Sequence, residues 1–181
     1  MGMTRKFLRD ERGSISLLVM ALFMLLVITS ALMTNINSVY LAKRALTQGT
    51  EAAAQRGVRN LDLESYYSSK YNLSRLIFNI SGFPESDPGI PIDCQKGSED
   101  ALSAMRSWAS LGREVTRENL GDISIDQIEC DGYSLSIQTS AYATLPFTIP
   151  FTGLSKVRIS STVGAFDERK ITDNFYGLSI P

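Results

Sequence analysis

The chain has no histidine among its 181 residues, which removes Ser-His-Asp and Cys-His nucleophilic sites, most catalytic zinc sites and the commonest general base. Cysteine is nearly absent too: Cys94 and Cys130 stand alone, with no CxxC pair to suggest a metal site. There is no glycine-rich phosphate loop. No basic block occurs either, and the net charge of −1 is spread as mixed signs, so the electrostatic footprint of a nucleic-acid binder is missing. The densest acidic stretch, Asp122, Asp126, Glu129 and Asp131, has the residue types for carboxylate or calcium chemistry. Its interleaving with Ile123, Ile125 and Ile128 favours another reading, the wet face of a half-buried strand. The expectation is a non-enzymatic protein without cofactor or metal.

A different absence is more informative. From Ile15 to Thr34 no charged residue occurs, directly behind the basic cluster Arg5, Lys6, Arg9 and Arg12. An uncharged apolar run of about twenty residues is long enough to cross a bilayer as a helix, whereas ~10–14 would suit a signal segment or a core helix. Four basic residues ahead of the run, against Lys43 and Arg44 at close range behind it, place the N-terminus in the cytoplasm and the bulk outside. In an oxidising compartment Cys94 and Cys130 would pair, constraining the unfolded chain by about 4 kcal/mol. Reversed orientation would leave two reduced, buried thiols instead. The residues after the run suffice for one ordinary domain.

The helix is expected to continue past the membrane to Asn60, because the stretch from Asn35 lacks proline and is rich in Ala, Leu, Gln, Lys and Arg. In this outer half Ala45, Gly49, Ala53 and Gly57 recur every fourth residue as a ridge of very small side chains, a surface that admits another backbone at close range. Either a partner or the chain's own domain can cover it. A second helix is expected over Leu63 to Ile80, with Tyr66, Tyr67, Tyr71, Leu73, Leu76 and Ile77 on its apolar side, followed by a loop through Gly82-Phe83-Pro84 and Asp87 to Pro91. A third helix is expected behind a Ser98 cap, with Glu99 and Asp100 in its first turn and Leu102, Met105, Trp108 or Ala109, and Val115 as its buried stripe.

From Ile123 the period becomes two. Ile123 and Ile125 share one parity, Ile128 and Cys130 the other, which calls for a bulge near Asp126-Gln127. Asp131-Gly132 signals a hairpin, after which Tyr133, Leu135, Ile137, Thr139, Ala141 and Ala143 line one face. Tyr133, Ile137 and Trp108 are expected core positions. Beyond the loop from Leu145 to Gly153, a third strand alternates through Val157, Ile159, Ser161, Val163 and Ala165. The expected fold class is α+β: a basic leader (1–13), a transmembrane helix (14–35), its outward extension as a stalk (36–60), a small domain with a three-stranded antiparallel meander and one or two helices (61–166), and a tail (167–181).

The run Asp10-Glu11-Arg12-Gly13-Ser14, followed at once by a single span and then by Tyr40 to Gln48 and Glu51 to Ala54, resembles the bacterial TadE/TadG-like proteins of tight-adherence (Tad, or Flp) pilus assembly. The loop from Leu145 to Leu154 and the final strand rising to Val163-Gly164-Ala165 are similar to the end of TadE-like domains. The resemblance is specific over residues 10–54, suggestive over 131–166 and absent from the middle third. It implies a pilin-like or pseudopilin-like part of an envelope-spanning pilus or secretion machine, in contact with membrane lipid and other apparatus proteins and able to self-associate through its N-terminal helix. It also implies leader-peptidase cleavage between Gly13 and Ser14. Pilins and many TadE-like proteins carry glutamate at the fifth mature position, where this chain has Leu18, so the TadG-like members, which anchor without that glutamate, are the closer comparison. The alternative is a bitopic binding module of another cell-envelope secretion or cell-wall complex.

Overall fold

A computed structural model describes residues 14–68, 89–111, 119–148 and 153–167, with the backbone of residues 174–175 and 178–179 besides. The chain is α+β. Helix α1 (Ser14–Val58) is 45 residues long, about 67 Å at 1.5 Å per residue. Nothing between Ile15 and Gln48 breaks it, since that stretch holds neither proline nor glycine. Side chains from Ile15 to Thr34 are exposed, apart from a partly covered Ala31. From Asn35 onward one face disappears into the domain: Asn35, Ser38, Ala42, Leu46, Gly49, Thr50, Ala53, Ala54, Gly57 and Val58 are buried at the three- and four-residue spacing of a single helix face. The outer half of α1 is therefore no free stalk. It is a central core element of the domain.

The helix ends where Asn60 turns back, its N–H donating to the Gly57 carbonyl at 3.2 Å and its side-chain Nδ2 donating to Asp100 at 3.0 Å. Helix α2 (Leu63–Tyr67) is capped by Asp62, which accepts from the Ser65 N–H. It stops far short of Ile80, because Ser68 is extended and its hydroxyl takes the Ser65 carbonyl, closing the last turn. The remaining apolar positions expected of this helix, Tyr71, Leu73, Leu76 and Ile77, lie outside the described residues, as does most of the proline-rich loop.

Helix α3 (Cys94–Leu111) begins five residues earlier than its Ser98-Glu99-Asp100 signal suggests. Backbone bonds from Ile92 to the Gly132 carbonyl and from Asp93 to the Asn60 carbonyl, both 2.8 Å, bring Asp93 to the helix start, where it accepts from the Lys96 N–H. That satisfies one of the N–H groups an α-helix leaves open at its beginning. Ser98 sits inside the helix and donates to the Cys94 carbonyl. The buried stripe shifts accordingly to Gly97, Ala101 and Met105, with Ala104 and Trp108 partly buried against the core, while Leu102 is only half-buried. Val115 lies outside the described residues.

Strands β1 (Leu120–Cys130), β2 (Ser134–Thr144) and β3 (Lys156–Phe166) form an antiparallel meander in that order. The bulge falls at Asp126: Ile125 pairs with Thr139 and Gln127 with Gln138. One extra residue there lets Ile123, Ile125, Ile128 and Cys130 all lie opposite inward positions of β2 despite their change of parity. Leu135, Ile137, Thr139, Ala141 and Ala143 are buried on the face toward α1. Tyr133 belongs to the turn rather than to that face and is 37% exposed, so it is not a core residue. The tail adds a two-residue pair, β4 (Asn174–Phe175) with β5 (Leu178–Ser179).

Candidate membrane and packing surfaces

The small-residue ridge of α1 is covered from within the chain. At Gly49 a Cβ would stand 2.5 Å from Cε2 of Trp108, so the indole lies directly on the glycine backbone. One turn past Ala53, Gly57 faces Gly97 of α3: a Cβ on Gly57 would meet the Gly97 carbonyl at 2.8 Å, and one on Gly97 would meet the Gly57 carbonyl at 3.0 Å. Two helices approach this closely only where both present glycine. Ala53 is buried and Ala45, nearest the edge of the interface, is half-buried. Gly97 and Ala101, the complementary small residues on α3, were legible as such only once the helix began at Cys94.

Cys94 and Cys130 form a disulfide with Cα atoms 5.7 Å apart, joining the first residue of α3 to the last of β1. Helix α3 otherwise packs mainly on α1 and meets the sheet at its margin.

Four polar links fasten α1 to the sheet side, and periodicity gave no sign of them. Thr50 and Thr139 share a buried hydroxyl bond of 2.7 Å, while the Thr50 hydroxyl also lies 2.8 Å from the Leu46 carbonyl. Ser161 donates to Thr47 at 3.0 Å. Asn119 donates to the Ser38 hydroxyl at 3.0 Å. Lowest of the four along α1, Asn35 makes a two-way bond with Phe147, its Nδ2 donating to the carbonyl at 2.8 Å and its Oδ1 accepting the N–H at 3.0 Å. Among the described residues each buried side-chain polar atom thus finds a partner, and each of these bonds fixes one height along α1 against one strand or loop.

The acidic stretch does not converge. Asp126, on the outer sheet face at the bulge, accepts from Ser140 at 3.0 Å and faces the Arg158 guanidinium at 3.8 Å. Glu129 accepts from Gln127 on the same strand, and Asp122 is exposed. Among the described residues no three His, Cys, Asp or Glu side chains come together as a metal-ligand group.

Asp131 holds the hairpin instead. Its carboxylate accepts from the Tyr133 N–H at 2.8 Å, the Ser134 N–H at 2.6 Å and the Ser134 hydroxyl at 2.9 Å, while Gly132 takes the positive φ of 91° that the turn requires. These bonds, the Tyr133 amide first, hold the Asp131 carboxyl below its usual range. A depressed folded-state pKa stabilises the fold fully above the ordinary carboxylate pKa of about 4, and that stabilisation is lost as pH falls through the folded value. The stability gap between wild type and Asp131→Ala should therefore be full at neutral pH and close progressively below about pH 4. Denaturant titrations at the two extremes measure it. A gap of the same size at both extremes would show that ionisation of Asp131 adds nothing to the turn.

The proposed cleavage point, Gly13-Ser14, lies where the described side chains have not yet begun. The remaining candidate surface is the first half of α1, the single described helix that is long and apolar enough to cross a membrane; its length and bare apolar surface fit a single-pass anchor. Comparisons of the chain with protein-family models, with curated proteins and with solved structures give no match. The class defined by fold and surface is thus an α+β domain built around the outer half of one long apolar helix.

Proposed function

We propose that this chain is a non-enzymatic structural component of a Tad/Flp-type pilus or related secretion apparatus, held in the plasma membrane by the first half of α1 with its N-terminus in the cytoplasm and its domain outside. The observation that carries the reading is the division of one continuous helix at Asn35, bare and uncharged below, one face buried in the domain above. Such a part transmits position rigidly from bilayer to domain. The disulfide supports an extracytoplasmic domain, because such bonds persist in oxidising compartments. The basic cluster before the span supports the orientation. The opposite face of α1, with Tyr40, Lys43, Arg44, Gln48 and Glu51 exposed, is available to neighbouring subunits or to a second copy.

Deleting the gene should abolish or impair a surface filament or secreted output, whereas Asp126→Ala, Glu129→Ala and Lys156→Ala should leave output and fold intact. In the same strain a Lys43→Cys variant should react with a membrane-impermeant thiol reagent in intact cells. Labelling only after permeabilisation would reverse the orientation, and wild-type protein recovered from cells in soluble form, with the residues before 35 cut away, would overturn the anchor. A well-folded but inactive variant at one exposed polar position would move the protein to the enzymes.

A further inference from the structure

The base of the domain lies too low on α1 to stand clear of a membrane. No charged residue occurs between Arg12 and Lys43, so the uncharged part of the helix continues past Thr34 through Ile36, Tyr40 and Leu41, all more than half exposed. The domain nevertheless attaches at Asn35 and Ser38, and one turn lower Ala31 is already partly covered while its neighbours in the run are bare. A hydrocarbon core of about 30 Å, counted from Ile15 at 1.5 Å per residue, ends near Thr34. The headgroup layer adds about 5–7 Å on each side, four or five further residues. Both attachment points fall inside that layer.

What the domain presents there is apolar and then basic. Phe147, held at the height of Asn35 by its two backbone bonds, is 51% exposed, and Leu154, across the loop that Leu145 closes with Ser155, is 50% exposed. An aromatic side chain whose backbone is fixed at this depth matches the interfacial preference of aromatic rings. Lys156, cross-strand from Thr144 at the lower end of the sheet, and Lys43 and Arg44, nine and ten residues past Thr34 on α1, are exposed on the water side of that layer, within the range over which anionic headgroups attract basic side chains.

Resting on the membrane reading above, we infer that Phe147 and Leu154, near the two ends of the β2–β3 connection, are a second membrane contact: both insert at the boundary between headgroups and acyl chains of the outer leaflet, and the Asn35 bonds hold Phe147 at that depth. The occupant is the lipid of the same bilayer that holds α1, because Asn35, to which Phe147 is bonded, directly follows the bare run from Ile15 to Thr34. Anchored at two points, α1 and its domain cannot turn about the helix axis, so the domain presents one fixed face to its neighbours.

The test uses the full chain in nanodiscs of phosphatidylcholine and phosphatidylglycerol whose acyl chains carry bromine near the headgroup, a short-range quencher of tryptophan. Phe147→Trp and, separately, Leu154→Trp add one fluorophore to the background of Trp108. Leu25→Trp, in the span and carried in lipids brominated deeper, reports whether the helix is inserted, and Phe166→Trp, at the far end of β3, reports the domain away from the membrane. Both loop tryptophans should lose most of their added emission and emit further to the blue than the one at 166, which should be unquenched. Loop tryptophans that behave like the one at 166, with the Leu25→Trp probe quenched, would overturn the inference and leave the anchor standing. An unquenched Leu25→Trp probe would overturn the membrane reading and the inference with it. Intact disulfide and unchanged Trp108 emission establish that each variant is folded.

Discussion

Gly49→Leu should destabilise the domain by about 3 kcal/mol, the upper end of what overpacking costs. The estimate rests on a comparison of opposing effects. Replacing a mid-helix glycine by leucine gains about 0.8 kcal/mol of helix propensity, and at an open position that gain would decide the sign. Here the first added carbon alone would stand 2.5–2.6 Å from three atoms of the Trp108 ring, and an indole is rigid beyond its two side-chain torsions. Accommodation then requires α3 to lift from α1, which also breaks the contact of Gly57 with Gly97. Gly49→Ala should be destabilising by less, since it imposes the same first carbon with no further bulk. In the double variant with Trp108→Ala much of the Gly49→Leu cost should vanish, because the obstructing ring is gone, giving a coupling energy between the two sites well outside experimental error. Denaturant midpoints of the full chain in detergent, compared at equal slope, report each value. A Gly49→Leu protein as stable as wild type would show that the indole does not cover the ridge in solution.

How far the chain could be read in advance follows from which residues carry periodic information. Strand alternation exposed the meander, and the change of parity between Ile125 and Ile128 called for a bulge near Asp126-Gln127, which falls at Asp126, because a single inserted residue keeps both pairs facing inward. The long helix was equally plain. What covers its ridge was not, since glycine and alanine announce close approach without naming the approaching partner. The answer lay in Gly97 and Ala101, which a helix start at Ser98 had left outside or at the edge of the element. That start was misplaced because Ser98-Glu99-Asp100 is a strong local capping signal, overridden by backbone bonds that place Asp93 five residues earlier. Tyr133 was assigned to the core by extending the β2 alternation one step into the turn. The hydroxyl pairs of Thr47 and Thr50 were invisible for a simpler reason: threonine on a helix reads as ordinary surface until a facing strand supplies Thr139 and Ser161.

Replacing both Cys94 and Cys130 by serine should cost about 4 kcal/mol, the loss expected when a crosslink between residues 36 apart is removed from the unfolded chain. The position of the bond makes the expected consequence specific. Helix α3 lies on α1 through Gly97 and Ala101 together with Met105 and Trp108, but it touches the sheet only at its edge, so the covalent tie to the end of β1 is its firmest connection to the meander. Without it, α3 should be the first element to detach, while β1, β2 and β3 stay paired and seated on α1 through Leu46, Leu135, Ile137 and Ile159. Trp108, the sole tryptophan, reports this directly: its emission should shift to the red at lower denaturant than the loss of sheet signal, where the oxidised wild type shows one transition. Because Gly49→Leu acts by lifting the same helix, combining it with the cysteine replacements should cost less than the sum of the two. Strict additivity would mean that the disulfide and the glycine ridge hold different parts of the molecule, and coincident transitions in the serine variant would show that α3 and the sheet unfold as one unit with or without the bond.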